Sequence, residues 1–135
     1  MKNFHERRTT FTSGARDRSC LIWSSLCTGL TLLILWLALM PGDSAPSGLG
    51  WDKLNHAGAI AAATGLAYLS LQPRSWAAAG AFGYGASLGV LIEILQATLT
   101  TGRAAELNDV VADLIGAGSV WVAIKIYRRR TALKR

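Results

Sequence analysis

The chain has few charged residues, and this scarcity argues against an ordinary soluble domain. Charged residues make up 16% of its 135 residues and hydrophobic residues 51%, whereas soluble domains carry about 25% charged residues. The sequence also lacks a phosphate-binding loop, an HExxH pair and a CxxC pair, so no such motif indicates a reaction. The composition and length predict one domain that lies in lipid.

Cysteine is also scarce. The two cysteines, Cys20 and Cys27, both fall in the first half of the first apolar stretch. A helix places them on one face about 10 Å apart along its axis, which is too far for a disulfide. We interpret both as small packing residues.

Positive charge is in excess, with a net charge of +6, but it collects at the two termini. Basic clusters that flank membrane spans fix orientation and contact anionic lipid headgroups. No basic groove with interleaved aromatic residues is visible, so a nucleic-acid partner is not expected. The terminal basic residues are Arg7, Arg8, Arg16, Arg18, Arg128, Arg129, Arg130, Lys134 and Arg135.

Four apolar stretches predict an all-α membrane protein, a four-transmembrane-helix bundle. The predicted spans cover residues 20–40, 54–71, 75–99 and 107–127, lengths that suit a hydrocarbon core of about 30 Å. The first span ends at Pro41-Gly42 and is too long for a signal-peptide core, so we interpret it as an uncleaved anchor. Residues 1–19 then form a mobile basic tail, 20–127 the membrane domain and 128–135 a second basic tail.

The distribution of Lys and Arg predicts that both termini are cytoplasmic. An N-in arrangement places all but two of the 14 Lys and Arg residues on the cytoplasmic side, as the positive-inside rule requires. The exceptions are Lys53 and Arg103. An even number of spans returns the C-terminus to the same side, so the count and the topology agree.

Small residues at four-residue spacing predict close helix packing. Gly85 and Gly89 form a GxxxG pair, and Ala112 with Gly116 repeats that spacing in the last span. Such pairs let helix backbones approach closely. We interpret them as packing within the bundle, with a homodimer face as the alternative.

Polar and ionisable residues near the spans collect at their outer ends. Glu93 and Gln96 share a helix face at i, i+3, and Asp109 and Asp113 share one at i, i+4. Charges within a bilayer are costly and usually functional. The cluster consists of Asp52, Lys53, His56, Glu93, Gln96, Arg103, Glu106, Asp109 and Asp113.

The cluster suits more than one kind of chemistry. Lys53 and Arg103 suit a phosphate or carboxylate headgroup. Carboxylates and an imidazole serve a divalent cation, or equally act as general acid and base. The alternative is a purely structural role, in which these charges pair with one another and stabilise the helix bundle. The sequence alone identifies no catalytic residue, metal or cofactor. The residues that offer such ligands are His56, Glu93, Asp109 and Asp113.

Three strings in residues 50–120 resemble the VanZ-like family of small bacterial integral membrane proteins. Asp52-Lys53-Leu54-Asn55-His56 resembles its D-K-x-x-H, and Glu93-Ile94-Leu95-Gln96 resembles its E-x-x-Q. Residues 102–116 resemble its G-R-x-x-[DE]-x-x-D-x-x-x-[ND]-x-x-G signature, with Glu106 where Asp is commoner and Asp113 where Asn is common.

The resemblance implies a cell-envelope role in the bacterial inner membrane. Together with the cluster, it leads us to expect binding of an anionic lipid or a lipid-linked cell-wall precursor at the outer face. One alternative is an enzyme acting on a lipid-linked substrate, with Glu93 or Asp113 as base and His56 orienting a metal or substrate. Another is a non-catalytic scaffold or assembly subunit, with Gly85 and Gly89 as its contact face.

Overall fold

In the residues that the structure describes, four α-helices run up and down beside one another. They are α1 (Asn3–Ala38), α2 (Asp52–Leu71), α3 (Ala77–Leu99) and α4 (Leu107–Ala132). The computed structural model describes the backbone of residues 3–40, 52–100 and 106–133 and the side chains of 18–40, 53–100 and 106–133. Every regular element in these residues is an α-helix, which confirms the all-α prediction.

The helix boundaries follow the predicted spans closely, with differences at the two outer termini. Helix α2 ends two residues before Pro73, as a proline that cannot continue a helix requires. Helix α1 begins at Asn3 rather than Cys20, so it extends into the predicted tail. Helix α4 continues past Tyr127 and carries Arg129 and Arg130 in its last turn, where cations face the negative end of the helix dipole. The predicted loop 41–51 lies outside the described residues.

Hydrogen bonds between helices establish their directions. The Cys20 thiol donates to the Ser70 carbonyl at 3.2 Å, and the Cys27 thiol donates to the Ala63 carbonyl at 3.8 Å. Helices α1 and α2 are therefore antiparallel. Both cysteines are free and pack between these helices, which confirms their interpretation as packing residues.

Helix α2 lies at the centre of the bundle and packs against all three other helices, whereas α1 and α4 do not touch within the described residues. Its inward residues Ile60 and Ala63 are almost completely buried. Small residues on α2 let three neighbours approach it at once. The core around them contains Ile34, Ile60, Ala63, Leu88, Ile92 and Ala117.

The GxxxG pair of α3 is buried inside the chain. A methyl group at Gly85 would meet the Thr64 side chain of α2 and, at 3.2 Å, the Ala117 methyl of α4. A methyl group at Gly89 would lie 2.6 Å from the Asp113 Cβ of α4. The small residues thus serve packing within the bundle, and neither glycine is exposed to a second copy.

The distribution of polarity is that of a membrane-embedded protein. Large apolar residues such as Leu32, Trp36 and Ile115 are about 60% exposed or more. The acidic residues Glu93, Asp109 and Asp113 are buried. Three segments are long and apolar enough to cross a membrane, namely Arg18–Ala38 of α1, α3 and α4, with hydropathies of 2.0, 1.5 and 1.6. Helix α2 is not among them, because Asn55, His56 and many small residues lower its hydropathy.

Candidate functional site

The polar residues meet at the end of the bundle where α1 and α3 end and α2 and α4 begin, called the polar end below. Lys53 and His56 come from α2, Glu93 from α3 and Asp113 from α4. Two predicted members cannot be placed, since Arg103 and the side chain of Asp52 lie outside the described residues. The other seven divide into two groups and one separate residue.

The rim group consists of Lys53, Glu106 and Asp109. The Lys53 Nζ lies 2.9 Å from Asp109 Oδ1 and 3.0 Å from Glu106 Oε2. Hydrogen bonds to these carboxylates, above all to Asp109, raise the pKa of Lys53, so its ammonium group stays charged. Half of the Lys53 side chain is exposed. The rim group therefore joins the first turns of the parallel helices α2 and α4, with Lys53 and Glu106 open to solvent and Asp109 buried.

The buried group consists of His56, Glu93 and Asp113, and each residue comes from a different helix. Each offers one nitrogen or oxygen atom, and these atoms all lie within 4.8 Å of one another. The His56 Nδ1 is 3.6 Å from the Asp113 Oδ1. Glu93 and Asp113 are 4% and 1% exposed. The structure thus brings together at one depth three residues that are distant in the sequence.

The carboxylates of the buried group are only partly satisfied. Glu93 Oε2 accepts the backbone N–H of Glu106 at 3.0 Å, which fixes the start of α4 against α3. Glu93 Oε1 and both oxygens of Asp113 receive no hydrogen bond from any described residue. Buried polar atoms are nearly always hydrogen-bonded in native proteins. These three oxygens therefore mark a position suited to a ligand, a proton or a further charged group.

Two glycines bring the three helix backbones together around the buried group. Gly89 lies one turn before Glu93 on α3 and faces the Asp113 side chain, leaving no room for a methyl group. Gly116 of α4 lies against the backbone of Ala57 on α2, next to His56 in the chain. The sequence flagged both as packing residues, but only their neighbours in space connect them to the site. The sequence could have indicated this connection through spacing, since Gly89 lies four residues before Glu93 and Gly116 lies three residues after Asp113.

Gln96 belongs to neither group. It is buried, and its amide nitrogen donates to the carbonyl of Ala38 at 3.1 Å. That carbonyl belongs to the last residue of α1, where helical carbonyls lack partners along the helix. Gln96 therefore serves the end of α1 rather than the polar groups with which its sequence spacing associates it.

The arrangement combines a solvent-accessible cation with buried carboxylates and an imidazole. Such a set can bind a divalent cation or exchange a proton, and its rim can contact an anionic group. The described part of the site contains four carboxylates and one ammonium group, so carboxylates are in excess. Comparisons of the chain with protein-family models, characterised proteins and solved structures found no match.

Proposed function

We propose that this chain is a VanZ-like protein of the bacterial inner membrane that binds an anionic lipid or a lipid-linked cell-wall precursor at its polar end. The observation that carries the proposal is the convergence of polar residues from α2, α3 and α4 at one depth, with acidic side chains almost fully buried. Ionisable groups inside a membrane bundle are expensive and mark functional sites by default.

The proposed topology has four spans, with α2 as the second, and both termini in the cytoplasm. Helix α1 begins and α4 ends at the end of the bundle opposite the polar end. That opposite end carries Arg18, Arg74 and the basic last turn of α4. The positive-inside rule therefore favours the polar end as the outer face. Helix α2 packs against all three other helices, which supports its crossing despite its lower hydropathy.

The rim group is the proposed first contact for the ligand. Lys53 is half exposed and, as a compact point charge with three donors, can bind a phosphate oxygen in addition to its carboxylate partners. Arg103, which lies just before Glu106 in the chain, supplies a guanidinium suited to bidentate phosphate binding. An anionic headgroup entering from the outer leaflet would meet Lys53 before the buried group.

An enzyme acting on a lipid-linked substrate is the second candidate. It is favoured by the oxygens of Glu93 and Asp113 that accept no hydrogen bond from the described residues. A buried carboxylate with a free oxygen is suited to act as a general base, and His56 lies beside it. Turnover of a polyprenyl phosphate substrate by purified protein, lost in Glu93→Gln, would establish this function. A scaffold subunit that docks through Gly85 and Gly89 has less support, because both glycines are buried within the chain.

Lipid-dependent thermal stability in detergent tests the proposed binding. A ligand that binds only the folded protein raises its Tm. We expect a polyprenyl phosphate to raise the Tm of the parent and to lose that effect in Lys53→Met and Arg103→Met. Arg74→Met is the matched control, because it removes an exposed cation from the opposite end. An equal shift in all four proteins, or none in the parent, would refute binding at the polar end.

A further inference from the structure

We propose that His56, Glu93 and Asp113 form a binding site for one divalent transition-metal ion, with Zn²⁺ or Mn²⁺ as the expected occupants. The site is assigned from three donor residues on three helices and from the buried carboxylate oxygens that no described residue serves. It does not depend on the proposed lipid ligand, and the two are tested separately below.

The spacing of the donor atoms is close to what a metal ion requires. Two ligands about 2.1 Å from a metal at a tetrahedral angle lie about 3.4 Å from each other. The His56 Nδ1 and Asp113 Oδ1 are 3.6 Å apart, and all three donors lie within 4.8 Å of one another.

The burial of the carboxylates is the second, independent observation. Asp113 is 1% exposed and neither of its oxygens receives a hydrogen bond from the described residues. The His56 Nδ1 lies 3.6 Å from Asp113 Oδ1, beyond hydrogen-bond distance, and a buried carboxylate is strongly unfavourable unless it is fully paired or coordinates a metal. Glu93 is anchored through one oxygen to the backbone of Glu106, which leaves its other oxygen for the ion.

The helix backbones hold the donors in place. Gly89 lets the Asp113 side chain lie directly against α3, and Gly116 lets α4 contact the backbone of α2. A larger residue at either position would separate the helices that carry the donors. Each donor is thus supported by a close helix contact within about one turn, which favours the rigid geometry that metal sites need.

The donor set selects the class of ion. Imidazole nitrogen favours transition metals such as Zn²⁺, while two carboxylates also suit Mn²⁺. Mg²⁺ and Ca²⁺ prefer oxygen ligands throughout. Three protein donors leave at least one coordination position open, as in catalytic rather than structural zinc sites. A bound ion would also offset the excess of carboxylates at the polar end, which otherwise disfavours an anionic ligand.

Metal titration of purified protein in lipid-free detergent, after treatment with a chelator, tests the site. We expect about one equivalent of Zn²⁺ or Mn²⁺ to bind, and Co²⁺ to give the visible absorption of a site with mixed nitrogen and oxygen ligands. Glu93→Gln and Asp113→Asn keep side-chain volume and should weaken binding at least about 10-fold. Glu106→Gln removes an exposed rim carboxylate and should leave binding unchanged.

The outcomes separate the cation site from the lipid site. Stoichiometric binding that is lost in the two buried variants and kept in Glu106→Gln supports the cation site, whatever lipids do. Absence of binding by the parent, which is expected if Arg103 neutralises the carboxylates, overturns it. Unchanged binding in either buried variant also overturns it, provided that variant elutes as a folded, monodisperse species. Repeating the polyprenyl phosphate measurement with and without metal then tests the lipid site on its own.

Discussion

Replacing Gly89 by Ala should destabilise the bundle at the level of the buried group. The new methyl group would lie 2.6 Å from Asp113 Cβ and 2.7 Å from its Oδ2, well inside van der Waals contact. The Oδ2 can rotate away, but the Cβ is fixed to the backbone, so α3 and α4 must separate. Such overpacking costs about 1–3 kcal/mol.

Gly83→Ala in the same helix is the matched control. A methyl group there meets nothing within 4 Å, so this variant gains only the higher helix propensity of alanine, up to about 1 kcal/mol. Both substitutions remove a glycine from α3, and the difference between them isolates the contact with Asp113. The two variants should therefore differ by the overpacking cost alone, about 1–3 kcal/mol.

Thermal unfolding in detergent measures this difference. For 135 residues, an unfolding entropy of about 2.1 cal/mol/K per residue converts each kcal/mol into about 3.5 °C. We expect Gly89→Ala to melt about 3.5–10 °C below Gly83→Ala on this scale. If the two melt at the same temperature, the close contact of Asp113 with α3 is wrong, and the support it gives the buried group fails.

Three further substitutions test other contacts by thermal unfolding. Lys53→Met should lower the Tm by a similar amount at every pH from 6 to 9. The pKa of Lys53 is raised, so the contribution of its ion pairs to stability is intact below the ordinary value of 10.5 and is lost only at higher pH. A decrease in Tm that is seen only at acidic pH would contradict this. Gly116→Ala should destabilise the protein by about 1–3 kcal/mol, since the new methyl group meets the backbone of α2. Gly118→Ala should not destabilise it, because open space surrounds that position. Gln96→Leu removes the hydrogen bond from the Gln96 amide to the Ala38 carbonyl and should cost about 0.5–1.5 kcal/mol, so an unchanged Tm would exclude that bond.

The positions of the helices could be predicted because strong local signals mark them. Uninterrupted apolar runs and Pro73 are features of the sequence itself, and the structure ends α2 and α3 at the predicted residues, Leu71 and Leu99. The equal depth of Glu93 and Asp113 follows from the same boundaries, since each lies a similar distance from the polar end of its helix. The residues that extend α1 back to Asn3 are mostly polar, so hydropathy did not indicate that extension.

The division of the cluster could not be predicted, because it depends on how each helix is rotated. Residues three apart, such as Glu93 and Gln96, differ by about 60° around the helix axis. That angle is enough for Glu93 to contact the start of α4 while Gln96 reaches α1. Similarly, Asp109 pairs with Lys53 at the rim, while Asp113 lies one turn deeper. Rotation is set by packing among all four helices, which sequence spacing does not contain.

The central position of α2 has a consequence for how the protein is inserted into its membrane. In the proposed topology the segment with the weakest hydropathy also makes the most extensive contacts with the other three helices. A segment of this kind partitions poorly into lipid on its own. Its insertion therefore depends on helices made before and after it, with its alanine-rich faces taken up by them. Biogenesis of the buried group is thus a late event, complete only when α4 has entered.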